Sequence, residues 1–123
     1  MMRVIGIGGI FIKCRDVEGA RAWYEKHLGI PMESWGASFP FKNDPNPEAY
    51  GNLSFFKEDS TYLMPSDSRF MINFRVENLD ALVKKMSEEG IPLIGTPEDT
   101  EFGKFAWIMD PEGNKIELWE QPI

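Results

Sequence analysis

Histidine and cysteine are almost missing from this chain: His27 and Cys14 are the sole representatives of their kinds among 123 residues. Zinc, iron, nickel and copper sites usually draw on several such ligands. A transition-metal centre here would have to be built almost wholly from carboxylates and water. One cysteine also excludes an internal disulfide and fits a reducing cytoplasm. No basic patch is visible and the formal net charge is −7, which argues against a nucleic-acid partner, because phosphate binding needs clustered Lys and Arg. The acidic balance suits a cationic ligand, although solubility accounts for it equally well. No apolar run approaches ~20 residues, so no membrane span is expected. The opening Met1-Met2-Arg3-Val4-Ile5-Gly6 leads into strand-like sequence without the small-residue cleavage site of a secretory leader.

What is present reads as a single domain over 1–123, with 42% hydrophobic and 27% charged residues, ordinary values for a globular protein. The clearest local signal is near the C-terminus. Asp110-Pro111-Glu112-Gly113-Asn114 separates two apolar strands, and these residue types close tight turns. The segment Lys104–Trp119 therefore reads as a β-hairpin. Its second strand carries a lone carboxylate, Glu117, between Ile116 and Leu118. Strand alternation puts Glu117 on the face opposite those two, away from any helix they pack against.

A repeat organises the rest. Val4–Lys13 is an apolar strand broken by Gly6, Gly8 and Gly9, where close backbone approach is expected. Asp16 caps a helix with apolar positions Val17, Ala20, Trp23, Tyr24 and Leu28, and Gly29-Ile30-Pro31 ends it. The pattern then returns. Phe70–Val76 is a strand, Asn78 a cap, and Leu79, Leu82, Val83 and Met86 a helical stripe ended by Gly90-Ile91-Pro92. The caps lie 62 positions apart and the Gly-Ile-Pro endings 61 apart, so the chain is a duplication with repeats 1–65 and 66–123. Further strands are expected at Met32–Ala37, Leu53–Phe56 and Thr61–Met64 in the first repeat. In the second they are expected at Leu93–Gly95, Phe105–Met109 and Lys115–Trp119. Each half is thus β-α-β-β-β. A Pro-rich, aromatic loop spans 37–50, and the loop 97–103 occupies the matching place.

Two such units, with Asp16-Val-Glu-Gly-Ala-Arg-Ala-Trp-Tyr-Glu-Lys-His-Leu-Gly29 opening the first helix and Asp110-Pro-Glu-Gly-Asn-Lys-Ile-Glu-Leu118 near the end, make a recognisable pair. The chain resembles the vicinal oxygen chelate superfamily, which holds glyoxalase I, extradiol dioxygenases and bleomycin-resistance proteins. The resemblance implies an α+β fold in which the two units form a curved mixed sheet around a cleft, with helices on the outer face. It also implies a homodimer. Metal-dependent members of that family place a ligand seven residues before each helix cap, which falls here at Gly9 and Met71. They place one more on the last strand of each unit, here about Leu63 and Glu117. Of these four, Glu117 alone matches, so no metal and no cofactor is expected.

Glu117 has three readings: a pocket contact, an inert remnant, or a proton carrier with a raised pKa. Trp35, Phe39 and Phe41 at the start of the Pro-rich loop suit the mouth of a pocket, or, for the two Phe, a dimer contact. Asn73 shares a face with Met71 and is expected to enter the pocket; Arg75 is expected near an exposed strand end. Trp107 suits either core or pocket. Trp23 and Tyr24 should pack the first helix on the sheet. His27 sits where a helix dipole favours a cation, and Cys14 reads as a small buried hydrophobe. The expectation is a cytoplasmic, metal-free protein that binds a small organic molecule and sequesters a drug or metabolite. The alternative is a metal-dependent lyase, isomerase or dioxygenase using Glu117. Whether the chain is an enzyme stays open.

Overall fold

The computed structural model describes residues 3–28, 30–41, 46–110 and 112–122, with backbone alone at 27 and 28. The expected roles of His27 and Gly29, the turn residue Pro111 and part of the Pro-rich loop lie outside the described residues. Among those described, seven strands form one mixed sheet. They are β1 (Val4–Cys14), β2 (Gly36–Pro40), β3 (Tyr50–Lys57), β4 (Phe70–Val76), β5 (Glu98–Thr100), β6 (Gly103–Met109) and β7 (Lys115–Glu120). Two helices, α1 (Val17–Leu28) and α2 (Leu79–Glu88), follow β1 and β4. The spatial order is β2-β3-β1-β4-β7-β6-β5. Each unit closes on its own first strand through a parallel pair, β1 with β3 and β4 with β7. The two units join where β1 and β4 run antiparallel.

The local chemistry explains these elements. Asp16 Oδ1 accepts the Gly19 amide at 2.9 Å and Asn78 Oδ1 accepts the Ala81 amide at 3.1 Å, so both expected caps hold their helices. The hairpin closes as its turn residues require. Asp110 Oδ1 accepts the amides of Glu112 at 2.9 Å and Asn114 at 2.8 Å, and Gly113 takes φ 81°. Behind the sheet, α2 presses its stripe onto Val76, Ala106 and Leu118, with Phe74 and Ile116 beside them. Tyr24 of α1 packs on Phe55 at 5.0 Å between centroids, whereas Trp23 stays 53% exposed and packs edge-on against Tyr24.

The strand assignments differ from expectation at four places. Met32–Ala37 becomes strand only from Gly36, and β2 runs on to Pro40 into what had read as loop. Leu93–Gly95 is irregular, anchored by the Ile94 amide on the Trp107 carbonyl at 2.8 Å; β5 instead falls in the loop 97–103. Thr61–Met64 is a turn: the Met64 amide bonds Thr61's own carbonyl at 3.1 Å, which folds the segment back before it can pair. The last strand of the first unit is therefore β3. Phe11 of β1 pairs with Ser54 as Asn73 of β4 pairs with Glu117, so Ser54, not Leu63, is the counterpart of Glu117.

Leu118 lies 3% exposed beneath α2. Leu118→Ala should lower unfolding free energy by about 2–5 kcal/mol in urea titrations. A loss below about 1 kcal/mol would mean that α2 is not seated on β7 as described.

Candidate functional site

Glu117 is 1% exposed on the concave face of the sheet. Its two neighbours across the strands are Asn73 on β4 and Trp107 on β6, each in direct register with it. Both donate to it: Asn73 Nδ2 to Oε2 at 2.7 Å, and Trp107 Nε1 to Oε1 at 3.0 Å. A third donor comes from outside the sheet. The turn after β3 lays Tyr62 across the row, where its ring meets Phe11, Phe56 and Trp107. Its hydroxyl donates to Glu117 Oε1. Leu63 beside it is 1% exposed and joins Phe11, Met71 and Trp107 in a small core.

Burial pushes the Glu117 carboxyl above its usual value, against the opposing pull of its three donors and of the Lys115 ammonium. Burial likewise pushes the Tyr62 phenol up, reinforced by the Glu117 charge it faces. Lys115 lies over the rings of Tyr62 and Trp107, at 5.2 and 5.8 Å from their centroids, and donates to the Tyr62 carbonyl. Burial lowers its pKa.

In front of this cluster opens a cavity of about 800 Å³. Phe11, Asn52 and Phe56 line it from the first unit, Asn73, Phe105 and Trp119 from the second. Tyr50 and Tyr62 also face it, and the exposed rings of Trp35 and Phe102 stand at its border. The paired glycines of β1 make room for this arrangement. A Cβ on Gly8 would fall 2.1 Å from Asn73 Oδ1 and 2.9 Å from the Trp119 ring, and one on Gly9 would fall 2.7 Å from the Asn52 carbonyl oxygen.

Of the six residues read from the sequence as ligand contacts, Glu117, Asn73 and Trp35 line the cavity. Trp107 lies behind it, holding Glu117. Phe39 does not line it: Ser38 and Pro40 face the cavity, and alternation turns Phe39 to the other side of β2, where it is 45% exposed. Phe41 lies beneath the Arg75 guanidinium at 5.3 Å, away from the lining. Arg75 itself is buried rather than at an exposed end. Cys14 is half-buried, with burial raising its pKa. Tyr62 was missed because nothing in Thr61–Met64 marks it as a turn that crosses the sheet. Trp107 could have been read as Glu117's partner: pairing the hairpin outward from Asp110–Asn114 sets them opposite.

The fold-wide ligand positions can be tested against these contacts. Gly9 offers no side chain, Met71 a soft thioether, and Ser54 a neutral hydroxyl. Glu117 already accepts three neutral donors. Hard divalent ions demand several anionic or carbonyl oxygens, and softer ones imidazole or thiolate. Among the described residues no group of three or more His, Cys, Asp or Glu converges anywhere. The donor set does not fit a metal ion.

A family model, the Glyoxalase/Bleomycin resistance protein/Dioxygenase superfamily, matches residues 6–118. The chain belongs to this superfamily. Structures that share the fold of this superfamily member include methylmalonyl-CoA epimerase from Mycobacterium tuberculosis, 21% identical over 98% of this chain and 90% of that one, with a TM-score of 0.65. A Streptomyces coelicolor methylmalonyl-CoA epimerase variant in complex with 2-nitronate-propionyl-CoA is 17% identical over 98% and 100%, with a TM-score of 0.70. The Mn(II)-bound glyoxalase from Novosphingobium aromaticivorans is 16% identical over 98% of this chain and 40% of its own, with a TM-score of 0.63. At these identities the likeness is one of fold. No curated protein matches the sequence.

The raised carboxyl pKa has a definite sign. A buried acid favours its protonated form, so its contribution to stability is full below the unfolded value near 4.5 and is lost as pH rises through the folded value. Relative to Glu117→Gln, the wild-type protein should lose stability as pH climbs from the unfolded value near 4.5 through the raised folded value. Urea midpoints of both proteins across that range provide the check. A wild-type advantage that grows with pH would mean that the donors outweigh burial.

Proposed function

We propose that the protein binds a small organic molecule in the concave cavity, sequestering it without a metal ion. The carrying observation is the combination at Glu117. The one carboxylate at a family ligand position is sealed by Tyr62, Asn73 and Trp107, while the space before it is walled by aromatic rings. A cavity of this size and composition suits a drug-sized, flat, mainly apolar molecule. Glu117 then acts by holding Tyr62 and Asn73 in place, and the ligand meets those two. Tyr62 is 37% exposed, so the ligand rests on its ring. No helix among the described residues is long and apolar enough to cross a membrane, and the single cysteine supports a cytoplasmic site of action.

The molecule is also read as a homodimer. α1 covers β3 and α2 covers β6 and β7, which leaves the outer face of β1 and β4 between them with Ile10, Phe70 and Ile72 uncovered. These two strands run antiparallel, so the strip is nearly symmetric about its own centre and complementary to a second copy of itself.

Protein purified without chelator should carry well under one divalent ion per chain by elemental analysis. N-phenyl-1-naphthylamine, a neutral fluorescent probe, should bind it in the absence of added metal. Trp35→Ala and Phe56→Ala should each weaken that binding by about tenfold, roughly 1.4 kcal/mol. A stoichiometric ion lost together with probe binding in Glu117→Ala would overturn the metal-free reading.

A further inference from the structure

Lys115, the first residue of β7, is 8% exposed. Withdrawing an ammonium from water is costly unless something replaces its hydration. If the position asked only for bulk, an apolar residue would fill it more cheaply. What replaces the water here is largely Tyr62. Lys115 Nζ donates to the Tyr62 carbonyl and stands over the Tyr62 ring at 5.2 Å, with the Trp107 ring at 5.8 Å.

Lys115 and Glu117 lie two apart on one face of β7, about 7 Å along the strand. Together they grip one residue at both ends: Lys115 holds the backbone carbonyl of Tyr62, and Glu117 holds its hydroxyl. The turn needs such a grip. The Met64 amide bonds the Thr61 carbonyl at 3.1 Å and the Tyr62 amide bonds Ser60 Oγ at 3.2 Å. Both bonds are local, so they shape the turn without fixing where it lies over the sheet. Leu63 seats one side of it in the core with Phe11, Met71 and Trp107. The Tyr62 ring, set by β7, walls the cavity together with Phe11 and Phe56, at 6.4 and 5.2 Å between centroids. Lys115 itself is not among the described residues that line the cavity.

Resting on the cavity-binding reading, we infer that Lys115 is a positioning residue for the ligand. It clamps Tyr62 from the backbone end while Glu117 clamps the hydroxyl end, and so sets the wall against which the ligand lies. Lys115 then determines affinity through Tyr62 without touching the ligand.

The test is fluorescence titration of the whole chain with N-phenyl-1-naphthylamine, well below the unfolding temperature of each variant. Lys115→Met keeps a long side chain but removes the donor and the charge, and should weaken binding about fivefold. Lys115→Ile, suited to a strand, carries the same expectation where Lys115→Met fails to fold. Lys115→Arg keeps a cation over the rings and should bind within about twofold of wild type. Tyr62→Ala should itself weaken binding about tenfold. Adding Lys115→Met to it should cost less than about twofold more, because the residue through which Lys115 acts is gone. In Trp35→Ala, at the cavity border, the same addition should keep its full effect. A lysine with a purely structural role would lower the urea midpoint and leave the affinity of the folded protein unchanged, which overturns this inference alone. So does an undiminished loss in the Tyr62→Ala background, or Lys115→Arg binding as weakly as Lys115→Met. Failure of the wild-type protein to bind the probe overturns the cavity reading and this inference with it.

Discussion

The structure turns on one buried carboxylate and the three hydrogens aimed at it. Taking Glu117 out of water is tolerable only because Asn73, Trp107 and Tyr62 satisfy its oxygens. Two of those donors are its direct neighbours in the sheet, so strand register alone delivers them. The third requires a segment that leaves the sheet after β3 and returns across the concave face. Removing any one donor leaves a lone pair buried without a partner, which is why these four residues behave as one unit. The glycines at 8 and 9 belong to the same constraint, since a side chain at Gly8 would occupy the position of Asn73 Oδ1.

The superfamily's frame is present in this chain, and the positions where a ligand set would converge carry few donor groups. Each unit still closes through a parallel pair with its first strand, and the four positions that could converge on an ion still lie on β1, β3, β4 and β7. Three of them now hold Gly9, Ser54 and Met71. The space before Glu117 is filled in part by Tyr62 and Leu63 and walled for the rest by rings. A carboxylate that in a metal centre would face a cation here faces neutral hydrogens. Burial rather than charge pairing then governs its protonation.

Much of this was legible from the residues. Asp16 and Asn78 announce the helices because short side-chain acceptors satisfy first-turn amides, and the 62-residue spacing of the two caps reveals the repeat. Asp110 to Asn114 fixes the hairpin, and alternation along β7 turns Glu117 to the concave side. The sequence failed where local pattern and tertiary role part company. Thr61-Tyr62-Leu63-Met64 has the composition of a strand, yet it turns, so that Tyr62 lines the cavity and Leu63 packs into the core instead of pairing. Phe39 and Phe41 have the composition of a pocket mouth, yet the continuation of β2 to Pro40 turns Phe39 away from the cavity and sets Phe41 under Arg75. Phe11, Phe105 and Trp119 were hidden for the opposite reason, since an aromatic ring on a strand looks the same whether it meets core or cavity.

The claim that neutral hydrogens, not a metal ion, satisfy Glu117 can be read at the Trp107 indole itself. In a protein labelled with nitrogen-15, the Trp107 Nε1–H resonance should shift markedly in Glu117→Gln, because its acceptor changes. In the wild-type protein the same resonance should keep its intensity on titration with Mn(II), a paramagnetic ion that broadens any proton near its binding site. Selective loss of the Trp107 signal at stoichiometric Mn(II) would place an ion on Glu117 and contradict the account.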